Sequence, residues 1–305
     1  MKDAARIPEK TDCLEPVPAA DFVRAWKQDF GIETAHLFEN VDAIELTRDA
    51  ETGHMRFEPS ILGDASFYQA LRRFKWYHPV RKLEHVHAGR LASPGDLVLD
   101  IGAGVGDFAR YLDQVGYIGL ESDPDAVEAG QQSGRDLRPI DMATWRALDM
   151  FRPADLVTAF QVLEHVSEPQ SFLTEMVACL SQDGRLVIGV PDAESYVADL
   201  PDFMLNAPPH HVTWWTEAAL RELLDRAGMK VDAVTRFPVE PWEYQLWWMA
   251  KASNCLPGQK ERRFGRALRW RKILSFCLSW PLQWMPPPAG ANGSTLLVQA
   301  SRRYP

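Results

Sequence analysis

Three histidines sit where a substrate proton could be taken up. His165 lies in "VLEHV", and His210 and His211 are adjacent in "NAPPHHVTWWTEAAL". Imidazole titrates near neutral pH, which suits a general base. Upstream lies "DLVLDIGAGVGDFARYL", residues 96–112, where Asp100 ends an apolar run and Gly102, Gly104 and Gly106 alternate around Ala103 and Val105. Glycine lets the chain turn sharply and lets a ligand approach with no Cβ in the way. The helix expected from about Asp107 would present unpaired N–H groups to that ligand.

Glu121 closes "YIGLE", nineteen residues after Gly102, with Ser122 beside it. A carboxylate there can accept hydrogen bonds from ribose hydroxyls. Dinucleotide and adenosyl cofactors both use such an acid, so Glu121 points to adenosine without choosing between them. Two features do choose. The loop reads GxGxG, whereas the dinucleotide fingerprint is GxGxxG. Asp100 would repel a pyrophosphate but stabilise a sulfonium or an α-ammonium group. S-adenosylmethionine fits both features better than NAD.

The elements that must position these residues alternate. The strand candidates are "LVLDIG", "GYIGLE", "ADLVTAF", "RLVIGV" and "KVDAVTRF". Between them stand "GDFARYLDQ", "PDAVEAGQQ", "PQSFLTEMVACLS" and "TEAALRELLDRAG", with helical character. Strand–helix alternation with Val/Ile/Leu-rich strands predicts a parallel sheet covered on both faces. Thr216 is placed to cap the helix after it and Gly228 to end it. Residues 1–90 read as a separate α+β module. A helix is expected at "AADFVRAWKQDFG" and a hairpin pairs Ile44 and Leu46 with Met55 and Phe57. Helical spacing then runs on from "DASFYQAL", broken near Pro79.

With these stretches in view, the chain resembles the class I S-adenosylmethionine-dependent methyltransferases. "VLDIGAGVGDFARYL", "YIGLESDPDAVEAG", "ADLVTAFQVLEHVSEPQSFLTEM" and "SQDGRLVIGVPD" are similar to four successive motifs of that family, in order and at its spacing. The likeness is nearest to the group that methylates ubiquinone-type, sugar and small-molecule acceptors. It implies an α/β, Rossmann-like fold with seven strands, the last antiparallel, and S-adenosylmethionine as cofactor. It assigns Asp100, Gly102, Ala103, Gly104 and Gly106 to the cofactor loop and Glu121, with Ser122, to the ribose. It places Asp141 and Met142 near the adenine and Gln161 at the methionine end. Asp155, at the start of the fourth strand, takes a structural role. In some relatives the upstream module carries early cysteine pairs that suggest a metal knuckle. Here only Cys13 stands in that region, so no metal is expected.

Methyl transfer from a sulfonium is an in-line displacement, so the enzyme mainly aligns the nucleophile and excludes water. A hydroxyl or amine acceptor also needs a base. His165 is the first candidate, His211 the second and His210 its neighbour; the alternative for each is a residue that shapes or packs its loop. Tyr68, Trp76 and Tyr77 are candidates to lid the cofactor or simply to pack. An NAD-dependent oxidoreductase and a non-catalytic S-adenosylmethionine-binding regulator are the competing functions.

Composition sets outer bounds. The 305 residues are 46% hydrophobic and 25% charged, with a formal net charge of −9. That balance fits a soluble globular protein and argues against nucleic acid as a partner. The four cysteines are scattered, which suggests reduced thiols and a cytoplasmic setting. Residues 238–292 hold six of the eleven tryptophans and read as a helical insertion in a methyltransferase domain spanning 91–305. Within it, 262–285 combines Arg and Lys with Leu, Phe and Trp. Peripheral contact with a membrane is one reading of that segment, and a cap over the pocket or a homodimer face is the other.

Overall fold

The apolar run at 97–101 buries every one of its residues, as a central strand of a parallel sheet must when helices cover both faces. In the computed structural model, which describes residues 11–13, 15–74, 82–257 and 263–303, the chain divides into two compact units. The sheet unit comprises Arg72–Pro191, Leu220–Phe237 and Ser294–Pro305. The aromatic unit comprises Met1–Leu71, Asp192–Ala219 and Pro238–Gly293.

The strands in chain order are β1 (Thr11–Cys13), β2 (Val17–Pro18), β3 (Ala43–Asp49), β4 (Met55–Glu58), β5 (Leu97–Ile101) and β6 (Gly116–Leu120), followed by β7 (Leu137–Arg138), β8 (Ala154–Phe160), β9 (Leu180–Pro191), β10 (Thr213–Trp214), β11 (Met229–Pro238) and β12 (Asn292–Arg302). The helices are α1 (Ala19–Phe30), α2 (Ala65–Leu71), α3 (Leu83–Gly89), α4 (Pro124–Gln132), α5 (Met142–Ala147), α6 (Pro169–Ala178), α7 (Glu217–Arg226), α8 (Tyr244–Cys255) and α9 (Arg269–Ser279).

The sheet unit carries seven strands in the order β11-β12-β9-β8-β5-β6-β7. β6 and β8 flank β5 in parallel, and β7 and β9 continue the parallel pairing outward. β12 runs antiparallel to β9, with Leu297 opposite Gly189. This is the expected α/β, Rossmann-like sheet. The Asp155 carboxylate accepts a hydrogen bond from the Leu97 N–H at 2.8 Å and so ties the start of β8 to the start of β5. Asp123 caps α4 by accepting from the Asp125 N–H, with Pro124 at the first helical position.

One strand escapes the sequence reading and one expectation gives way. β7 has two residues, too few to show any periodicity. The helix expected after the glycines is a single 3-10 turn, Asp107–Tyr111. Gly106 enters it at φ 77°, Phe108 is buried beneath it, and Leu112 leaves it in an extended conformation.

The aromatic unit holds a five-stranded sheet, ordered β1-β3-β4-β10 with β2 also paired to β3. The hairpin register sets Leu46 opposite Phe57 and Arg48 opposite Met55, and its four expected apolar residues are buried. α1 turns Phe22 and Trp26 into this core and ends at Gly31 in the left-handed conformation. The Phe22 ring lies 6.2 Å from Phe38 and 5.7 Å from Phe264. The fully buried Trp26 donates its Nε1–H to the Pro208 carbonyl at 2.8 Å. Trp76, Tyr77 and Pro79 lie outside the described residues.

Candidate functional site

The glycine loop leaves the C-terminal end of β5, where ligands of open parallel sheets bind. The N–H groups of Gly102 and Ala103 both donate to the Leu120 carbonyl, at 2.8 and 3.1 Å, which locks the loop onto the end of β6. All three glycines have positive φ. A Cβ at Gly102 would lie 2.5 Å from Val162 Cγ2, whereas one at Gly104 would meet nothing within 4 Å. Gly104 therefore faces open space, and a side chain there would intrude on whatever the loop holds.

Glu121 is fixed against this open face. Its Oε2 accepts from the Gly104 N–H at 2.8 Å and its Oε1 from the Asp123 N–H at 2.9 Å. Ser122 Oγ lies 3.4 Å from the same Oε1 and is otherwise exposed. A preset carboxylate beside a bare glycine is a fitting acceptor for ribose hydroxyls.

Asp100 sits deeper than its place in the motif suggests. It is 2% exposed, and its two oxygens accept from Thr158 Oγ1 at 2.7 Å and Tyr117 OH at 3.0 Å. Burial pushes its pKa up to about 6, against the pull of those hydrogen bonds and of the Lys82 charge. Its influence on a ligand is that of a buried charge under the loop.

Gln161 stands immediately after β8 with φ 57°, a left-handed conformation that costs a non-glycine residue about 1 kcal/mol. Its side-chain Nε2 is buried with no acceptor among the described residues. A strained residue holding an unused donor at the strand's C-terminal end fits a ligand carboxylate or hydroxyl. The chain then makes a tight turn, Leu163–His165. Glu164 is buried, and burial pushes its carboxyl up to about 8. The His165 side chain is 21% exposed, with Nε2 3.9 Å from Glu164 Oε1.

Asp141 plays a structural part, capping α5 by accepting from the Thr144 N–H at 2.7 Å. Hydrogen bonds from the Thr144 side chain and N–H hold its carboxyl below the usual range at an exposed position. Met142 beside it is buried.

The structure places His210 and His211 in the aromatic unit, both buried, with rings stacked 4.3 Å apart. His210 Nδ1 lies 2.8 Å from the Leu205 carbonyl and His211 Nδ1 2.9 Å from Asn206 Oδ1. Both acceptors require an N–H, so we assign the proton to Nδ1, and in the neutral ring the basic lone pair falls on Nε2. Trp26, Phe67 and Tyr68 line His210, with ring centroids 6.2–6.4 Å away. Tyr68 is thus placed by aromatic packing within this unit.

Sequence reasoning passed over Glu164, Lys82 and Asn206. Glu164 adjoins a quoted histidine, but its burial is not visible in a string. Lys82 acts on Asp100 and Glu164 through the fold.

Residues 70–234, more than half of the chain, match the methyltransferase domain family. The chain belongs to the class I S-adenosylmethionine-dependent methyltransferases. S-adenosylmethionine is the cofactor of this methyltransferase, which sets the dinucleotide alternative aside. Its loop, Glu121 and the unused Gln161 amide fit that ligand. One relative is an uncharacterized 37.1 kDa protein of transposon TN4556 from Streptomyces fradiae. It is 32% identical over 133 residues, 40% of this chain and 38% of that protein. Another is a ubiquinone biosynthesis O-methyltransferase of Xanthomonas axonopodis pv. citri, 26% identical over 54% of this chain and 74% of its own. The match therefore spans well under half of the first relative's length and about three-quarters of the second's. A methyltransferase structure from Archaeoglobus fulgidus shares the fold, with a TM-score of 0.51, 15% identity and coverage of 77% of this chain and 100% of that one.

Proposed function

We propose that this methyltransferase transfers a methyl group to a hydroxyl of a small-molecule, sugar or lipid-linked acceptor, with His165 as the base. The observation that carries the reading is the position of His165. It is part-exposed, four residues past Gln161 at the C-terminal end of β8, with a buried carboxyl 3.9 Å from its Nε2. The Xanthomonas relative, named for O-methylation, supports a hydroxyl acceptor.

S-adenosylmethionine supplies a methyl group on a sulfonium with a good leaving group. The open backbone at Gly104 and the Glu121 carboxylate hold its ribose end, and the Gln161 amide holds its methionine end. Asp100, buried beneath, lowers the electrostatic cost of a cationic ligand over the loop. Ser122, Met142 and the exposed side of Asp141 border the adenine end. His165 takes the hydroxyl proton on a ring nitrogen as the acceptor oxygen attacks, with the Glu164 carboxyl 3.9 Å from its Nε2. His211 and His210 provide basic Nε2 atoms in the aromatic unit and rank second and third as the base.

The decisive experiment pairs two measurements on His165→Ala. Titration calorimetry with S-adenosylhomocysteine should give unchanged affinity. Transfer of labelled methyl into a cell extract should fall about 10²- to 10⁴-fold, the contribution of a positioned base. Unaltered transfer moves the base assignment to His211. No transfer by the unsubstituted protein, with normal cofactor binding, favours the regulatory reading.

A further inference from the structure

The glycine loop is fastened on both sides of Gly104. Before it, Gly102 and Ala103 hang on the Leu120 carbonyl, and the Gly104 N–H itself meets Glu121. After it, residues 105–107 are fastened by a side chain from outside the cofactor motifs. Arg135 stands in the turn between α4 and β7, where its N–H bonds the Gly130 carbonyl at 3.1 Å. Its guanidinium Nη1 donates to the Val105 carbonyl, and its Nη2 lies 3.5 Å from Asp107 Oδ1. The fork straddles Gly106 and grips the chain on either side of it.

The packing around Gly106 is shaped to this grip. A Cβ there would lie 2.8 Å from Arg135 Cδ and 3.4 Å from the Tyr117 hydroxyl oxygen. Glycine at this position therefore serves two needs, the φ of 77° and the passage of the arginine stem. The Arg135 side chain is 13% exposed, so its hydrogen bond to a carbonyl is charge-assisted and partly shielded from water. Its charge also reaches the Tyr117 hydroxyl. Burial and then Asp100 push the pKa of that hydroxyl up, and Arg135 pulls it down. Tyr117 in turn donates to Asp100, so the arginine shares a polar layer with the buried acid of the loop.

Three glycines with positive φ give a free loop many alternative shapes. Ordering them at the moment of binding would cost affinity, and fixing them beforehand removes that cost. Arginine suits the task because one planar fork meets two acceptors at once. A lysine ammonium offers a point charge on a flexible stem.

We propose that Arg135 is a positioning residue for the cofactor. It presets residues 105–107, so that the Gly104 backbone and Glu121 meet S-adenosylmethionine in a loop already shaped. The proposal rests on the assignment of this loop and Glu121 to the cofactor.

Titration calorimetry of the full chain with S-adenosylhomocysteine, well below the unfolding transition, tests it. Arg135→Ala should bind about tenfold more weakly, the loss expected when a hydrogen bond from a charged group is removed. Arg135→Lys should recover part of that loss. Arg110→Ala removes another ion pair of the same Asp107 Oδ1, at 3.2 Å, and leaves the Val105 carbonyl with Arg135. Its affinity should stay within about twofold of the unsubstituted chain. Amide exchange in the cofactor-free protein separates positioning from general stability. Exchange at 104–107 should quicken in Arg135→Ala, with β8 and β9 unchanged. Unchanged affinity in Arg135→Ala, beside a loss in Glu121→Ala, overturns the proposal and leaves the loop assignment standing. Unchanged affinity in both variants overturns the two together. An equal loss in Arg110→Ala, or faster exchange throughout the sheet unit in Arg135→Ala, also overturns it.

Discussion

The two units differ in how far apart in sequence their contacts reach. In the sheet unit, the candidate ligand groups follow the strand ends in order: Gly102 to Gly106 after β5, Glu121 after β6, Gln161 to His165 after β8. Each is positioned by its own strand and the next one. The aromatic unit is assembled from three separated pieces. Trp26 reaches Pro208 across 182 residues, and the Arg266 N–H reaches Asp21 Oδ2 across 245. A fold written in adjacent motifs can be read one window at a time, whereas one written in remote pairs cannot.

The sharpest test of this division is Trp26→Ala. Removing a fully buried indole should cost about 3–5 kcal/mol, measured by urea unfolding followed through tryptophan fluorescence. S-adenosylhomocysteine affinity, measured below the transition, should be unchanged, since its candidate ligands all lie in the sheet unit. A matching collapse of affinity would break the comparison.

Legibility follows the same line. Whereas the antiparallel direction of β12 came only with the family resemblance, the parallel strands, the cap at Thr216 and the left-handed Gly228 were readable because each depends on a few neighbouring residues. The two-residue β7 was not, because pairing with β6 defines it and its own sequence does not. The 3-10 turn at Asp107 looked helical because the string does not show Phe108 pulled into the core. The inward Arg271, Ser275 and Ser279 were illegible for a stronger reason. Periodicity finds the apolar stripe of a helix, but it cannot say which stripe faces the protein. For Asp100 the sequence showed an acid in the right place; the two hydroxyls that engage it come from β6 and β8.

The next effect in size concerns Glu164. Its carboxyl titrates near 8 in the folded protein, against an ordinary value of 4.5. Between those values the folded state keeps a proton that the unfolded state has released. The associated stability is complete below about pH 4.5 and is lost as pH rises to about 8. Glu164→Gln should remove this component, so the variant's melting temperature should fall less than that of the unsubstituted chain over this window. Parallel melting curves would show instead that the buried carboxyl ionises as it does in water.

Gly104→Ala separates backbone strain from ligand exclusion. The left-handed conformation should cost about 1–2 kcal/mol of stability, as a new Cβ there touches no protein atom. If the cofactor fills that space, affinity for S-adenosylhomocysteine falls by more than the same change at an equally left-handed glycine away from the loop, such as Gly134. Equal, negligible effects on affinity at both positions would move the ligand off this loop.

The smallest predicted effect falls on a residue that was legible by half. Thr216 was readable as a cap, and its Oγ1 does accept from the Ala219 N–H at 3.1 Å. The same hydroxyl donates to the Thr52 carbonyl in the turn of the β3–β4 hairpin, 164 residues away. Its methyl group also borders Gly53. Thr216→Ala removes both hydrogen bonds and should cost about 1 kcal/mol. Thr216→Ser keeps the hydroxyl and loses only the methyl contact, so its unfolding midpoint should lie much nearer that of the unsubstituted chain. If the serine variant is as unstable as the alanine variant, packing against the hairpin turn holds this residue, and the readable cap contributes little.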